Sequence, residues 1–286
     1  AVKRIKEFKA NAVVFQWWTT FLVPCYWFIA NRVRKHCKVS VVCQNVLPHE
    51  ESEIHLLLTK IFFKQAHNFV TLSKADERLL KNIMPKAKVK TIVEPTYEQI
   101  VGFEKIAKSR ARKLLGIKHK KVLLFFGFVR PYKGLRYLLE AIPEVLKKHN
   151  CLLLVVGEFW EPKEQYLELI KKLGIKENVR IVDRYVPDDE VPLYFNASDA
   201  IVLPYVSSTE SGIIQLAYGY NTPIITTRTG NAPDVIDHKK SGLLVKPQSS
   251  KALAKAINYF YEKKLEAKFR KAMEKKKRIF KWNKEK

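Results

Sequence analysis

The chain has 286 residues, of which 47% are hydrophobic and 28% are charged. This composition supports a buried core and excludes a disordered or collagen-like chain, and the length favours two domains. The 53 lysines and arginines outnumber the 28 aspartates and glutamates, which gives a net charge of +25. So large a positive excess favours partners that carry phosphate: nucleotides, nucleic acid or anionic lipid.

The segment from Asn11 to Ala30 is the stretch whose length and apolar content suggest a membrane span, and basic residues flank it. Polar residues and Pro24 interrupt it, and it divides into a short strand over 12–17 and an aromatic helix from about Thr20. We therefore expect a buried strand and helix, with a membrane span and an interfacial helix as the alternatives.

Short strands alternate with helices in the rest of the first third of the chain. The sequence predicts strands over 38–43, 68–72 and 89–93, and helices over 51–66 and from Ser73, an N-capping residue type. Pro95 breaks the third strand and opens a linker. We therefore predict a first domain over 1–103 and a second over 104–286.

The second domain has strands that are almost entirely apolar. They are predicted over 122–126, 152–156, 179–182, 200–203, 223–226 and 243–245. Amphipathic runs predict helices over 104–115, 135–148, 163–173 and 186–196, and the lysine-rich end over 271–286 is expected to be a solvated helix end. Apolar strands alternating with helices predict a doubly wound α/β domain, whose ligand should lie at the carboxyl ends of the strands.

The loop after the first of these strands is basic and contains glycine. Gly127, Arg130 and Lys133 lie where a helix is predicted to begin. Free amides and the positive end of a helix, together with two cations, suit a diphosphate. An ordinary basic surface loop is the alternative interpretation.

Two further loops follow strands of the same sheet. The loop over 204–212 is rich in hydroxyl side chains, which suits either a helix cap or a phosphate or sugar site. In the second case the carboxylate of Glu210 would accept hydrogen bonds from sugar hydroxyls. The glycine of the loop over 229–234, Gly230, serves a turn or approaches a ligand.

Several common sites are unsupported by the sequence. It contains no Gly-x-Gly-x-x-Gly, no P-loop and no His-Glu-x-x-His, so dinucleotide oxidation, P-loop ATP hydrolysis and zinc proteolysis are not indicated. The four cysteines have no closely paired spacing, which predicts buried, reduced thiols in a cytosolic protein rather than a disulfide scaffold or a zinc site. They are Cys25, Cys37, Cys43 and Cys151.

Taken in order, these segments resemble the retaining glycosyltransferases of family 4, which have the GT-B fold. The resemblance is carried by the segments 126–135, 152–158, 178–187, 204–226, 229–236 and 241–245. Residues 13–18 and 45–50 resemble the later part of that family's acceptor domain, whose first half has no counterpart here. The resemblance implies two Rossmann-like, doubly wound parallel-sheet domains, the first of them incomplete.

The implied activity is transfer of a sugar from a nucleoside-diphosphate sugar to a lipid-linked or polysaccharide acceptor, with retention and without an obligatory metal or other cofactor. Arg130 and Lys133 would neutralise the departing diphosphate. An anionic membrane surface is a further expected partner, with the protein cytoplasmic and peripheral on the inner face.

The resemblance also assigns donor-binding roles to particular residues. Tyr185 and Val186 would lie beside the nucleobase, and Glu210 would contact the sugar. The remaining donor-binding candidates are Gly127, Ser208, Thr209, Ser211, Gly212, Ile213 and Gly230, of which the amides of Ser211, Gly212 and Ile213 would hold sugar or phosphate. His49 is a catalytic candidate, with a structural role as the alternative.

The chain departs from the family pattern at three positions. Ser208 and Leu216 stand where the family often has two glutamates, and Gln44 stands where related chains have a histidine. These departures leave open a non-catalytic nucleotide-sugar binding protein, or an inactive fragment of such an enzyme. A nucleic-acid binder is the third alternative, but the sequence lacks any recognition motif for one.

Overall fold

The computed structural model describes residues 1–47, 52–92, 106–209 and 211–280. The chain divides into two compact units, Ala1–Glu94 with Ser208–Glu210 and Pro95–Ser207 with Ser211–Lys286. The predicted boundary after residue 103 lies outside the described residues. Each unit contains a parallel sheet, of four and six strands respectively, so the predicted α/β fold class is confirmed.

The first unit alternates strands and helices. Its elements are α1 (Val2–Glu7), β1 (Ala12–Trp17), α2 (Val23–Val33), β2 (Lys38–Cys43), α3 (Glu53–Phe63), β3 (Asn68–Thr71), α4 (Lys74–Ile83) and β4 (Val89–Thr91). The strands pair in the order β1-β2-β3-β4, all parallel. Each connection advances by one strand in the same direction, and right-handed connections then place the helices on one face of the sheet.

Aromatic rings fill the space between that face and the helices. Trp17 is fully buried, and its ring centroid lies 5.2 Å from those of both Phe62 and Phe63. Its indole N–H donates to the carbonyl of Val46 at 3.1 Å. The opposite face is more exposed, since Val14 of β1 is 62% exposed and the alternate positions of β2 and β3 are half-buried or exposed.

The segment over 11–30 forms a strand and a helix, as predicted. Pro24 lies in the first turn of α2, where its missing N–H costs no helical hydrogen bond. No helix in the described part of the chain has both the length and the apolar composition that a bilayer crossing requires. The predicted N-cap is also confirmed, because the Ser73 hydroxyl accepts the N–H of Asp76 at 3.0 Å.

The second unit continues the alternation. Its elements are α5 (Lys108–Leu114), β5 (Val122–Phe126), α6 (Leu135–Leu146), β6 (Leu152–Val156), α7 (Glu164–Lys172), β7 (Val179–Val182), α8 (Val191–Ala197), β8 (Ala200–Leu203), α9 (Gly212–Gly219), β9 (Ile224–Thr227), α10 (Ala232–Val235), β10 (Gly242–Val245), α11 (Ser250–Glu262) and α12 (Glu266–Lys276). The parallel strands pair in the order β10-β9-β8-β5-β6-β7. The chain moves outward from β5 to β7, then returns to β8 on the other side of β5. The connections diverge between β5 and β8, which opens a crevice at their carboxyl ends.

Both faces of this sheet are buried. Along β5, Leu123 and Phe125 belong to one apolar cluster, whereas Val122 and Leu124 belong to the cluster on the other face. The buried carboxylate of Asp199 accepts the N–H of Val122 at 2.7 Å and pairs with Arg112 at 2.8 Å. This pair ties α5 to the central strands.

Two predicted elements differ from the structure. The helix predicted over 186–196 begins at Val191, because the Pro187 carbonyl accepts the N–H of Glu190 in a turn that precedes it. In the described part of 271–286, the prediction of a solvated helix end holds for the exposed Lys271 and Lys275 but was wrong for one face of the segment. Met273 is fully buried there, and the buried Lys277 donates to the carbonyl of Gly219 at 2.8 Å.

The cysteines are free, as predicted. Cys37, Cys43 and Cys151 are buried, but Cys25 is exposed, so the expectation of burial was wrong for this residue. Burial raises the pKa of the Cys151 thiol to about 12.

We expect stability to fall as the pH drops below about 6.5, in part because of His238. Its Nδ1 accepts the N–H of Leu244 at 3.0 Å, and burial, with Arg228 and Lys239 nearby, lowers its pKa. The unfolded histidine, with an ordinary pKa of about 6.5, takes up a proton first. The contribution of neutral His238 to the free energy of unfolding is therefore complete above the unfolded pKa of about 6.5. It is lost as the pH falls towards the lower pKa of the folded state. Urea unfolding from pH 8 to pH 5 should show a weaker pH dependence in His238→Asn, which keeps an acceptor but cannot titrate.

The exposed His36 supplies the control for this measurement. His36→Gln should keep the wild-type pH profile. Part of the slope should remain in His238→Asn, because burial also lowers the pKa of His149. Identical profiles for His238→Asn and the wild type would contradict the assignment.

Candidate functional site

Three loops of the second unit follow β5, β8 and β9 and meet at the carboxyl edge of the sheet. We call them the first loop (Gly127–Gly134), the second loop (Pro204–Ser207) and the third loop (Arg228–Asn231). The first and second loops leave the two strands between which the connections diverge. This is the position where open α/β sheets bind their ligands.

Tyr205 connects the first loop, α9 and β9 through its side chain and its backbone carbonyl. Its ring is buried, and the Nζ of Lys133 lies 4.5 Å from the ring centroid. Its hydroxyl is 2.8 Å from the Oγ of Ser211, the residue that precedes α9. Its carbonyl accepts the hydroxyl of Thr227, at the end of β9, at 2.7 Å. One residue therefore fixes a cation of the first loop against the start of α9 and the end of β9.

The first and second loops are also in direct backbone contact. The N–H of Val206 donates to the carbonyl of Tyr132 at 2.8 Å. Gly134 has a φ of 70°, and a Cβ at this position would lie only 2.1 Å from the carbonyl oxygen of Pro204. Glycine is required there by both its φ and the close approach.

The two cations of the first loop lie against aromatic rings. The guanidinium carbon of Arg130 lies 4.1 Å from the ring centroid of Trp160. The Nζ of Lys133 lies 4.5 Å from the ring centroid of Tyr205. Among the described residues, neither cation forms an ion pair with a carboxylate. Their positive charge is therefore available to an anion.

A cavity of about 220 Å³ lies beside Lys133, entirely within the second unit. Its lining consists of Phe126, Gly127, Phe128, Tyr132, Lys133, Gly157, Glu158, Arg184, Tyr185, Val186 and Ile213. Part of this lining is bare backbone, contributed by Gly127 and Gly157. Gly157 has to be glycine because a Cβ there would lie 2.2 Å from the carbonyl oxygen of Gly127. Aromatic rings, backbone and a cation in one cavity suit a planar ring that carries phosphate.

The segment after β6 is anchored by the carboxylate of Asp183, which directly follows the neighbouring strand β7. Asp183 accepts the N–H of Phe159 at 3.1 Å and pairs with Lys163 at 2.9 Å. The hydrogen bond from Lys163 has the largest effect and that from the N–H of Phe159 the next largest, and together they hold the pKa of Asp183 below its usual range. They fix the path of the chain that carries Trp160 towards Arg130.

A larger cleft of about 650 Å³ lies on another side of the first loop. It is bordered by α7 and contains tyrosines and two glutamates, among them Tyr137, Tyr166 and Glu161. Its lining includes neither Arg130 nor Lys133. The larger cleft has two other cations, Arg136 and Lys172, but the smaller cavity is lined by Lys133 of the first loop and is our candidate for a phosphorylated ligand.

The structure brings five of the predicted site residues together in the cavity lining, namely the catalytic candidate Lys133 and the donor-binding candidates Gly127, Tyr185, Val186 and Ile213. Others belong to the three loops or to the start of α9 but do not line it: Arg130, Ser211, Gly212 and Gly230. Ser208 and Thr209 group with the first unit. Glu210 and His49 lie outside the described residues.

The sequence interpretation missed Trp160 and Tyr205 as parts of this site. Tyr205 is the second residue after β8, and Trp160 is the fourth after β6. Position just beyond an apolar strand was therefore a signal for both. In the part of the chain that the structure describes, no group of three or more histidine, cysteine, aspartate or glutamate side chains is arranged to hold a metal ion.

Residues 107–280 match the model of the family described as glycosyl transferases group 1. The chain belongs to this family. The predicted family is therefore confirmed at the level of group 1 glycosyltransferases. The match includes the three loops and the whole lining of the cavity.

Curated relatives of known sequence agree with this assignment. An uncharacterized glycosyltransferase of Methanocaldococcus jannaschii, MJ1607, is 28% identical over 197 residues, which are 66% of this chain and 49% of that protein. A D-inositol 3-phosphate glycosyltransferase of Corynebacterium efficiens is 31% identical over 146 residues, which are 49% of this chain and 34% of that protein. The chain spans about half or less of the length of these relatives.

Solved structures share the fold. Alr3699/HepE of Anabaena, in complex with UDP and glucose, superposes with a TM-score of 0.80 at 18% identity, over 97% of this chain and 76% of that chain. Sucrose-phosphate synthase of Thermosynechococcus elongatus has a TM-score of 0.77 at 17% identity, over 97% and 70%. The predicted GT-B architecture is confirmed by these likenesses.

We predict that Gly134→Ala destabilises the second unit more than Gly174→Ala. Both glycines have similar left-handed φ values, 70° and 65°, so both substitutions carry the same backbone penalty. Only a Cβ at Gly134 meets backbone, whereas nothing lies within 4 Å at Gly174. Urea unfolding should show an additional loss of about 1–3 kcal/mol for Gly134→Ala. Equal losses would mean that the two loops are not in the close contact described.

Proposed function

We propose that the second unit binds a nucleoside-diphosphate sugar, and that the protein transfers this sugar with retention of configuration to a lipid-linked or polysaccharide acceptor. The observation that carries the proposal is the cavity between Tyr185 and Lys133, at the point where the strand connections diverge. Membership of the group 1 glycosyltransferases supports the same class of reaction.

In this proposal the nucleobase lies beside Tyr185 and Val186, and the diphosphate extends towards Lys133 and Arg130. When the bond between the sugar C1 and the diphosphate oxygen breaks, negative charge grows on the leaving diphosphate. Two fixed cations stabilise that charge in the transition state. The proposal includes no metal cofactor, because Arg130 and Lys133 supply positive charge where a metal ion would otherwise do so.

Related proteins bear on the donor and on the reaction. The Corynebacterium efficiens relative is named for glycosyl transfer to D-inositol 3-phosphate, and Alr3699/HepE has been solved with UDP and with UDP-glucose. These observations support a nucleoside-diphosphate sugar as the donor here. The choice of a lipid-linked or polysaccharide acceptor rests on the resemblance to family 4, as does retention.

The sugar itself is proposed to contact Glu210, Ser208 and Thr209, together with the amides of the second loop and the start of α9. Glu210 would accept hydrogen bonds from sugar hydroxyls. His49 is proposed as a catalytic residue on the basis of the resemblance to family 4. Both residues lie outside the described part of the chain, so their roles rest on the sequence.

A non-catalytic nucleotide-sugar binding protein is the second candidate. Leu216, which stands where the family often has a glutamate, packs half-buried against the apolar cluster beneath α9. The Leu216 side chain cannot form a hydrogen bond with a nucleotide sugar. Release of nucleoside diphosphate in the presence of acceptor would establish transfer, whereas donor binding without release would favour the second candidate.

We expect the double variant Arg130→Ala/Lys133→Ala to lose donor binding while remaining folded. Hydrogen bonds to charged groups contribute roughly 1.5–3 kcal/mol each, so affinity for the nucleoside diphosphate should fall at least about a hundredfold. Calorimetric titration with UDP and GDP measures this directly. Unchanged affinity would reject the site.

A charge-matched control is available on α11. Lys251 and Lys255 are exposed there, away from the cavity. Lys251→Ala/Lys255→Ala removes the same two positive charges, so it should retain wild-type affinity. A comparable loss in both double variants would assign the effect to net charge rather than to the first loop.

We also propose that the protein acts in the cytoplasm at an anionic membrane surface. The net charge is +25, and the first unit exposes large aromatic side chains. These are Trp18, Phe21, Trp27 and Phe28, exposed by 55%, 87%, 39% and 47%. Basic residues near an anionic surface contribute about 1 kcal/mol each, and exposed aromatic rings enter the interfacial region of the bilayer.

Sedimentation with vesicles tests the membrane proposal. At low salt the protein should bind vesicles of phosphatidylglycerol more strongly than vesicles of phosphatidylcholine, and binding should weaken at high salt. Phe21→Ser/Phe28→Ser should reduce binding severalfold. Leu114→Ser/Leu167→Ser, which alters exposed apolar residues of the second unit, should not. Equal binding to both lipids at low salt would refute the proposal.

A further inference from the structure

We propose that Trp160 is a positioning residue for Arg130, which it holds ready for the diphosphate of the donor. The guanidinium carbon of Arg130 lies 4.1 Å from the centroid of the Trp160 ring. The ring of Phe128 packs against the same tryptophan, with the centroids 4.6 Å apart. The proposal rests on the function proposed above and adds a residue to it.

The backbone places these side chains together. The N–H of Val129 donates to the carbonyl of Glu158 at 2.9 Å, and the N–H of Trp160 donates back to the carbonyl of Val129 at 3.1 Å. Val129 and Phe159 thus form a parallel bridge beyond the ends of β5 and β6. Asp183 anchors the second strand of this bridge through the N–H of Phe159. Arg130 and Trp160 each directly follow a bridged residue.

A ring suits this purpose better than a carboxylate. Stacking occupies a face of the planar guanidinium and leaves the N–H groups along its edge free to donate to phosphate oxygens. A carboxylate would occupy those same N–H groups and would have to be displaced by the diphosphate. Among the described residues, Arg130 has no such carboxylate partner.

The exposure of Trp160 makes the proposal testable. Its side chain is 52% exposed and Phe128 is 40% exposed, so replacement of Trp160 should leave the fold intact. Trp160→Phe retains an aromatic face, whereas Trp160→Leu retains only an apolar side chain. The two variants therefore distinguish cation–π attraction between the ring and the Arg130 guanidinium from ordinary apolar packing against it.

The experiment is a calorimetric titration with UDP and GDP, begun on the wild-type protein. Trp160→Leu should weaken binding of the nucleoside diphosphate about two- to tenfold, and Trp160→Phe should restore most of the affinity. Binding of the nucleoside without phosphates, measured by NMR, should not change in either variant. Leu167→Ala, an exposed apolar change on α7, should behave as the wild type.

A double-mutant cycle decides whether Trp160 acts through Arg130. If it does, Trp160→Leu should cost nothing further in a chain that already carries Arg130→Ala. Additive losses, or equal losses for the nucleoside and the diphosphate, would overturn the proposal and indicate direct contact of Trp160 with the ligand. If the wild-type protein binds neither diphosphate, the proposed function fails, and the role of Trp160 fails with it.

Discussion

The contact between the buried ring of Tyr205 and the ammonium group of Lys133 is the interaction on which the candidate site depends. The ring is buried and its hydroxyl contacts Ser211, while the backbone carbonyl of the same residue accepts a hydrogen bond from Thr227. A flexible lysine is thereby held at a defined place with its charge retained. The cation, the start of α9 and the end of β9 are thus all in contact with one residue, the first two through its side chain and the third through its backbone carbonyl.

The topology of the second unit explains why such a contact arises there. The order β10-β9-β8-β5-β6-β7 sends the connections away from β5 in both directions, so a crevice opens at the carboxyl ends of β5 and β8, where their loops meet. Apolar strands buried on both faces provide a rigid base for them. The pair of Asp199 and Arg112 adds a charged anchor within that base. The sheet thus determines where the loops lie, and side-chain contacts such as that between Tyr205 and Lys133 determine the conformation within them.

Much of this arrangement could be predicted from the sequence, and the reasons are local. Gly127, Arg130 and Lys133 follow an apolar strand directly, so their position at the edge of a sheet needed no knowledge of other strands. The roles of Trp160 and Tyr205 did need it, because each depends on which strands are neighbours. Parallel pairing of β5 with β6 brings Trp160 to Arg130, and that pairing is not encoded in either segment alone.

Errors in the prediction have a similar origin. Charge density suggested a solvated end, but Met273 and Phe280 lie in the apolar cluster beneath α9 and draw the lysine-rich chain onto the protein. At Val186, the amphipathic pattern extended the predicted helix through a turn at Pro187, whereas the helix begins at Val191 and Val186 lines the cavity. In both cases tertiary contacts outweighed the local pattern.

The bare backbone that lines the cavity has a consequence for how this site can diversify. A Cβ on Gly157 would lie 2.2 Å from the carbonyl oxygen of Gly127, so Gly157 cannot acquire a side chain without displacing the backbone of Gly127. Tyr185, in contrast, is 63% exposed at the opening of the same cavity, where a different side chain meets little resistance. In the proposed function, preference for one nucleobase over another can therefore change by substitution of Tyr185 at the opening, whereas Gly157 in the interior accepts no side chain.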